Sequence, residues 1–254
     1  MTDFSAFSLA GRRVMVTGAN TGIGQGICVS VARAGGAVVG VGRSSMDETA
    51  RRVAAEGGAF HAVHCDLGAT AAVQAMFEKT CKEAGPIDGL VNNAGIIRRA
   101  DAVDFSVADW DEVMDVNLKT TFLLCQAFGR HVLGDGRKGN IVNIGSVLSF
   151  QGGIRIASYT ASKHGVAGLT KLLACEWAAK GINVNAIAPG YVVTNNTEAL
   201  RNDPDRSTSI LARIPAGRWA EPGDIGDATV FLLAPASKYM HGAVVPVDGG
   251  WLAR

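Results

Sequence analysis

Apolar residues recur along the chain in short runs, each closed by a glycine, asparagine or aspartate, and between the runs the spacing becomes helical. The runs at 13–16, 37–41, 60–65, 87–91, 140–144, 182–187 and 243–247 read as strands. Ile27, Val31 and Ala34 mark a helix over 25–34, stopped by Gly35-Gly36. A second spans 46–56 and ends at Gly57-Gly58; a third starts near Thr70, carries Val73, Phe77, Thr80 and Cys81, and ends at Gly85-Pro86. Trp110, Val113, Met114, Leu118, Phe122, Leu123 and Gln126 place one long helix over 107–129. Two more run from Tyr159 to about Lys180 and over 222–233. Strands alternating with helices predict a single doubly wound α/β domain over 1–254, a parallel sheet of about seven strands with helices on both faces. Ligands in such sheets sit at the carboxyl ends of the strands, where the strand order reverses. The stretch 195–219 is polar and irregular, with Pro204, Pro215 and two short helical stretches, and it follows a strand at that edge. It is expected to be a substrate lid around 191–219.

Composition narrows the class. The 32 glycines in 254 residues are dispersed as turns, and 24 Lys+Arg nearly balance 23 Asp+Glu, so no basic face for nucleic acid is expected. The five cysteines form no CxxC and the five histidines no HxxxH or HxH, which predicts no metal site and a reduced, cytoplasmic protein. Residues 1–10 lack the pattern of a signal peptide, and no apolar run approaches ~18 residues, so no membrane span is expected.

The chemistry lies at the strand ends. Gly18, Asn20, Thr21, Gly22, Ile23 and Gly24 form a glycine turn between the first strand and the first helix. That context suits a dinucleotide: glycines admit the pyrophosphate and the helix start offers free N–H groups. The second strand ends in Gly42-Arg43, with no acid before Asp47. Arg43 suits the 2′-phosphate of NADP, or else stacks on adenine or sits solvated. Asp66, before Leu67, would accept from the adenine amino group or cap the helix near Thr70. Asn92 and Asn93 can brace the sheet while Ala94 and Gly95 leave room for a flat ring. Asn117 interrupts an apolar helix face and reads as a bend. Tyr159 and Lys163 are one helical turn apart, and an ammonium beside a phenol lowers its pKa into a usable range. Ser146, at the end of the fifth strand, can add a hydroxyl to the same volume.

In this order the motifs Thr17 to Gly24, Asn92-Asn93-Ala94-Gly95, Asn117, Ser146, Tyr159-x-x-x-Lys163 and Pro189-Gly190 resemble the short-chain dehydrogenase/reductase family over essentially the whole chain. The resemblance implies a catalytic set of Asn117, Ser146, Tyr159 and Lys163, in which Asn117 holds a water that links Lys163 to solvent. It implies NAD(P)(H), held by the glycine turn, Asp66, Leu67, Asn93, Gly95, Tyr159, Lys163, Pro189, Gly190, Val192 and Thr194, to which the strand-end reading adds Arg43 and Ala94. It further implies a homotetramer with the tail at a subunit interface. The segments 96–99, 149–155, 190–197, 213–219 and 248–254 are similar to those of sugar-acid dehydrogenases in the family, which are usually NAD-linked, whereas Arg43 suggests NADP. A sugar-acid substrate is therefore expected, its carboxylate met by Arg98, Arg155 or Arg218 and a hydroxyl by Gln151, with Arg99 beside Arg98 a further candidate or a solvated neighbour. A reductase of another keto acid, and a regulatory protein that binds the nucleotide without chemistry, are the alternatives.

Overall fold

The computed structural model describes residues 4–254; the first three, part of the stretch read as lacking a leader, lie outside the described residues. Seven parallel strands form one sheet in the order β3-β2-β1-β4-β5-β6-β7: β1 Arg13–Thr17, β2 Ala37–Gly42, β3 Phe60–His64, β4 Gly89–Asn92, β5 Gly139–Ile144, β6 Ile182–Pro189 and β7 Val244–Val247. Strand order reverses between β1 and β4, and a cleft therefore opens above their carboxyl ends.

Alternation along each strand sorts the core into two layers. In β1, Val14 and Val16 face one side with Ile27, Val31 and Ala32 of α1 (Gly22–Arg33) and Ile225, Leu232 and Leu233 of α9 (Pro222–Leu233). Met15 faces the other with Phe77 of α3 (Val73–Ala84), Phe128 of α5 (Thr120–Gly134) and Leu173 of α6 (Ala157–Trp177). The interior strand β5 is buried at all six positions, which explains its largely apolar and amide sequence. Each large side chain enclosed this way contributes about 1.5–3 kcal/mol relative to exposure. Helix α2 (Asp47–Ala55) lies between β2 and β3 in the chain.

Two predicted elements differ in form. The helix expected over 107–129 is α4 (Val107–Met114), a π-helical turn at Asp115–Lys119, and α5. The Thr120 N–H donates to the carbonyl of Asp115, five residues back, so one extra residue is accommodated at Asn117. The irregular stretch contains α7 (Asn195–Arg201) and α8 (Pro204–Arg213), started by a Thr194/Thr197 capping box and by the Asp203 side chain with Pro204 at the first position. Among the described residues no helix is long and apolar enough to cross a membrane.

Candidate active site

The carboxyl ends of β1, β2, β4, β5 and β6 enclose a cavity of about 460 Å³, elongated from the end of β2 to the start of α6. Its floor is the glycine turn. Gly24 cannot be replaced there, because a Cβ would stand 2.0 Å from the Gly18 carbonyl oxygen. Thr21 occupies the position before α1 without capping it through its side chain, so the helix presents its free N–H groups and positive end to the cavity. Thr17 ties this floor to β4: its hydroxyl accepts from the Asn93 and Ala94 N–H groups, both at 3.0 Å. The Asn93 amide donates back to the Thr17 carbonyl at 2.9 Å.

Arg43 and Ser44 line the β2 end of the cavity, and Arg43 forms no ion pair among the described residues. Asp47 is turned away, accepting from the Ser45 hydroxyl at 2.8 Å. Asp66 accepts from the Gly68 N–H at 2.9 Å and faces the cavity beside Leu67; it does not cap the following helical turn, whose leading position is Ala69.

The opposite end holds the polar cluster. A chain of buried amides runs Asn92 to Asn143 (2.8 Å) to the Thr170 hydroxyl (2.9 Å), fixing α6 against β4 and β5 and so fixing where Tyr159 stands. The Ser146 hydroxyl and the charge of Arg99 both lie close enough to act on the Tyr159 phenol and favour its ionised form. Burial dominates both, however, and holds the phenol above its ordinary value. Lys163 is 4% exposed, donates to the Ile144 carbonyl at 2.7 Å, and places Nζ 5.5 Å from the centre of the Tyr159 ring. Burial brings it down to about 8. The spacing-based expectation of a phenol lowered by its neighbouring ammonium therefore does not describe this geometry: the ammonium is spent on a carbonyl and lies over the ring. Asn117 is 1% exposed and sits behind Gly95. Its amide clamps Ile96 from both sides, accepting from the N–H at 2.9 Å and donating to the carbonyl at 3.0 Å, and reaches the Ser162 hydroxyl at 3.2 Å.

The cavity is thus lined by Gly18, Asn20, Thr21, Gly22, Ile23, Arg43, Asp66, Leu67, Asn93, Ala94, Gly95, Ser146, Tyr159, Lys163, Pro189, Gly190, Val192 and Thr194. Gly24 and Asn117 support it from behind. The carboxylate candidates are not brought together. Arg98 pairs with Asp109 and Glu112, Arg155 with Asp101 at 3.1 Å, and Arg218 grips both oxygens of Asp224. Each is paired with an acid, and neither these three nor Arg99 nor Gln151 belongs to the lining itself. Sequence reasoning missed Ser149, whose hydroxyl donates to the Lys163 carbonyl at 2.8 Å and accepts from the Ser146 N–H. Its signal was the Ser-x-x-Ser capping spacing. Asn195, Asn196 and Thr197 also line the cavity; they belong to the 190–197 segment that carries the family resemblance, which assigns them no individual role.

A family model described as enoyl-(acyl carrier protein) reductase matches residues 18–252. The 2-dehydro-3-deoxy-D-gluconate 5-dehydrogenase of Escherichia coli (strain K12) is 52% identical over 98% of this chain and 99% of its own. A crystal structure from Agrobacterium tumefaciens, provisionally named a 2-deoxy-D-gluconate 3-dehydrogenase and holding NADP, is 60% identical with a TM-score of 0.93, covering 98% of this chain and 99% of its own. The gluconate 5-dehydrogenase of Burkholderia cenocepacia, solved with NADP and tartrate, is 39% identical with a TM-score of 0.92, covering 98% of both chains. Fold, strand-end motifs and full-length similarity agree: the chain belongs to the short-chain dehydrogenase/reductase family of oxidoreductases.

Proposed function

We propose that this oxidoreductase interconverts a secondary alcohol and a ketone on a sugar acid, with 2-dehydro-3-deoxy-D-gluconate as substrate of a 5-dehydrogenase reaction, and that it uses NADP(H). One observation carries the reading: Ser146, Tyr159 and a buried Lys163 line the same end of a dinucleotide-sized cavity, with Ser146 close enough to act on the phenol. The names of the relatives in Escherichia coli and Agrobacterium support the substrate class, as does tartrate, a hydroxy acid, in the Burkholderia relative.

The residues present fit a nicotinamide dinucleotide. The uncapped start of α1 and the side-chain-free turn at Gly24 suit the pyrophosphate, and Arg43 with Ser44 suits a 2′-phosphate, since Asp47 is engaged elsewhere. When bound, the nicotinamide supplies the hydride acceptor or donor. Tyr159 holds the proton: its phenol gives it to the ketone oxygen in reduction and takes it from the alcohol in oxidation. Ser146 orients and polarises the same oxygen. Lys163 keeps a positive charge under the phenol while protonated, and Asn117, which clamps Ile96 beside Gly95, is assigned the water that would link Lys163 to solvent. For the substrate carboxylate we assign Arg99 in place of its ion-paired neighbours. It forms no ion pair among the described residues, and its charge reaches the Tyr159 phenol. Helices α7 and α8 form the cover, and Thr194 with residues 195–197 is its cavity side.

The test is a rate measurement over a panel of sugar acids with NADP and NAD in parallel. Turnover of 2-dehydro-3-deoxy-D-gluconate, faster with NADP(H), is expected; turnover of neutral sugars alone would refute the reading. Tyr159→Phe should cut kcat by about 10²–10⁴-fold while NADPH still binds. A homotetramer is also proposed. Trp110, Phe122 and Leu172, on α4, α5 and α6, are large, apolar and 39–52% exposed, which suits self-association, and light scattering should give the mass of four chains. The five free cysteines suit a reducing cytoplasm, to be checked by cell fractionation.

A further inference from the structure

A third apolar cluster, apart from the two that flank the sheet, gathers around Trp251 in the last turn of the chain. Its buried members are Val147, Ile210, Ile214 and Trp251. They come from three distant places: the turn that follows Ser146, helix α8, and the C-terminal tail. The tail is built to present this indole. The Asp248 carboxylate accepts from the Gly250 and Leu252 N–H groups, both at 2.9 Å, and so shapes the final turn. Gly249 has φ 65°, and a Cβ on it would stand 2.9 Å from Ile214, so no other residue lets the tail approach α8 this closely. Three contacts then end on the last turn of α8 or just beyond it. The Arg213 guanidinium lies on the Trp251 ring, 3.9 Å from its centre. The Arg254 guanidinium donates to the Ala212 carbonyl at 2.6 Å, and the Ala216 N–H to the Gly249 carbonyl at 2.9 Å. Tyr191, at the other end of the covering segment, packs its ring 4.7 Å from that of Trp251. The indole N–H is buried and has no hydrogen-bond partner, so the side chain acts here through its faces.

We propose that Trp251 is a positioning residue: through Arg213 and Ile214 the C-terminal tail latches α8 onto Val147, holding the cover and the turn that carries Ser146 in one arrangement. The inference rests on the reading of α7 and α8 as the cover of the cavity. Arg201 and Arg206 in that segment make trypsin a direct reporter of its opening. Full-length wild type, Trp251→Leu and Trp251→Phe are digested with and without saturating NADPH, beside measurements of particle mass, Tm, kcat and KM for the sugar acid. In the wild type NADPH is expected to slow cleavage within 195–213. Trp251→Leu should be cleaved about tenfold faster and raise KM about tenfold, with kcat within about twofold and Tm nearly unchanged, because the cluster lies outside both main cores. Trp251→Phe keeps a ring for Arg213 and should return both values close to wild type. A Trp251→Leu enzyme with wild-type cleavage and KM overturns the latch. So does one whose KM rises only in step with a falling Tm, or whose particle mass changes. Absent NADPH protection in the wild type removes the cover reading beneath it. Cleavage and NADPH protection are read without turnover, so they judge the latch even if the substrate assignment fails.

Discussion

Tyr159 is under two opposed influences. Burial favours the neutral phenol, while the nearby Ser146 hydroxyl and the charge of Arg99 favour the phenolate. Burial is the larger, so the proton stays on Tyr159 through neutral pH. The reducing direction needs that proton and the oxidising direction needs it gone. Oxidation should therefore climb on the alkaline side while reduction is already full at neutral pH. Lys163, brought down to about 8, is charged below that pH and supports proton donation in the same range. Arg99 gives the clean test, because it acts on the phenol and is assigned to the substrate carboxylate. Arg99→Ala should move the oxidation limb to higher pH and raise KM for the sugar acid by about tenfold, the loss of one charge-assisted contact. Arg98→Ala should do neither, since Arg98 serves Asp109 and Glu112. An unmoved limb in Arg99→Ala, measured as rate against pH, would refute the assignment.

At the scale of elements, the π turn at Asp115–Lys119 makes Asn117 more than a helix bend. An α-helix through this region would rotate the following residues by a full position. The inserted residue lets Asn117 point at Ile96 while Leu124, Cys125 and Phe128 still face the core. Asn117→Ala leaves the Ile96 N–H and carbonyl unpaired beside a buried segment. It should cost about 2–4 kcal/mol by denaturant unfolding and lower activity with it, whereas Ser162→Ala, which loses the third contact and its own hydroxyl's bond to the Tyr159 carbonyl but leaves Ile96 clamped, should cost about 1 kcal/mol. Equal costs for the two would place the stabilisation elsewhere. This is also where legibility stopped. Strands and glycine turns were readable because burial on both faces and tight turns demand particular residue types, as at Val14 to Gly24 and Asn140 to Ser146. The π turn was not, since a single inserted residue leaves apolar spacing on either side intact. Side-chain pairing was equally hidden: four arginines looked alike as carboxylate binders, and only the positions of Asp101, Asp109, Glu112 and Asp224 separate Arg98, Arg155 and Arg218 from Arg99. Ser146, Tyr159 and Lys163 were legible together because strand-end and one-turn spacing survive without knowledge of packing.

Across the whole molecule, the groups that build the site and core also set how stability follows pH. Lys163 holds its proton to about 8 in the fold and to its ordinary value of 10.5 when unfolded. Between those values the unfolded chain binds the extra proton, so this residue adds stability as pH rises from 8. The thiols act in the opposite sense. Burial lifts Cys81 to about 11 and Cys125 to about 12, and raises Cys28 further, from an ordinary 9.0. Above 9 the unfolded chain sheds protons that the fold retains, and stability falls as pH rises. Cys65 is raised as well, by burial and by Asp66, so one lysine is outweighed by four thiols and the balance reverses near pH 9. On the acid side His131 is lowered by burial and by Arg137, which approaches its Nε2 at 2.6 Å, while Asp135 and Asp88 pull the other way and Phe77 packs edge-on against the ring. Its contribution is present at neutral pH and is lost as pH falls through the ordinary 6.5 toward its lower folded value. Tm measured under reductant should therefore rise from pH 6 to about 8–9 and then decline. The decline should flatten in a Cys28→Ala/Cys125→Ala variant, even though the two small cavities lower its Tm throughout. A decline of unchanged steepness in that variant would mean that the alkaline limb comes from other groups, and that the thiols, although buried, do not govern it.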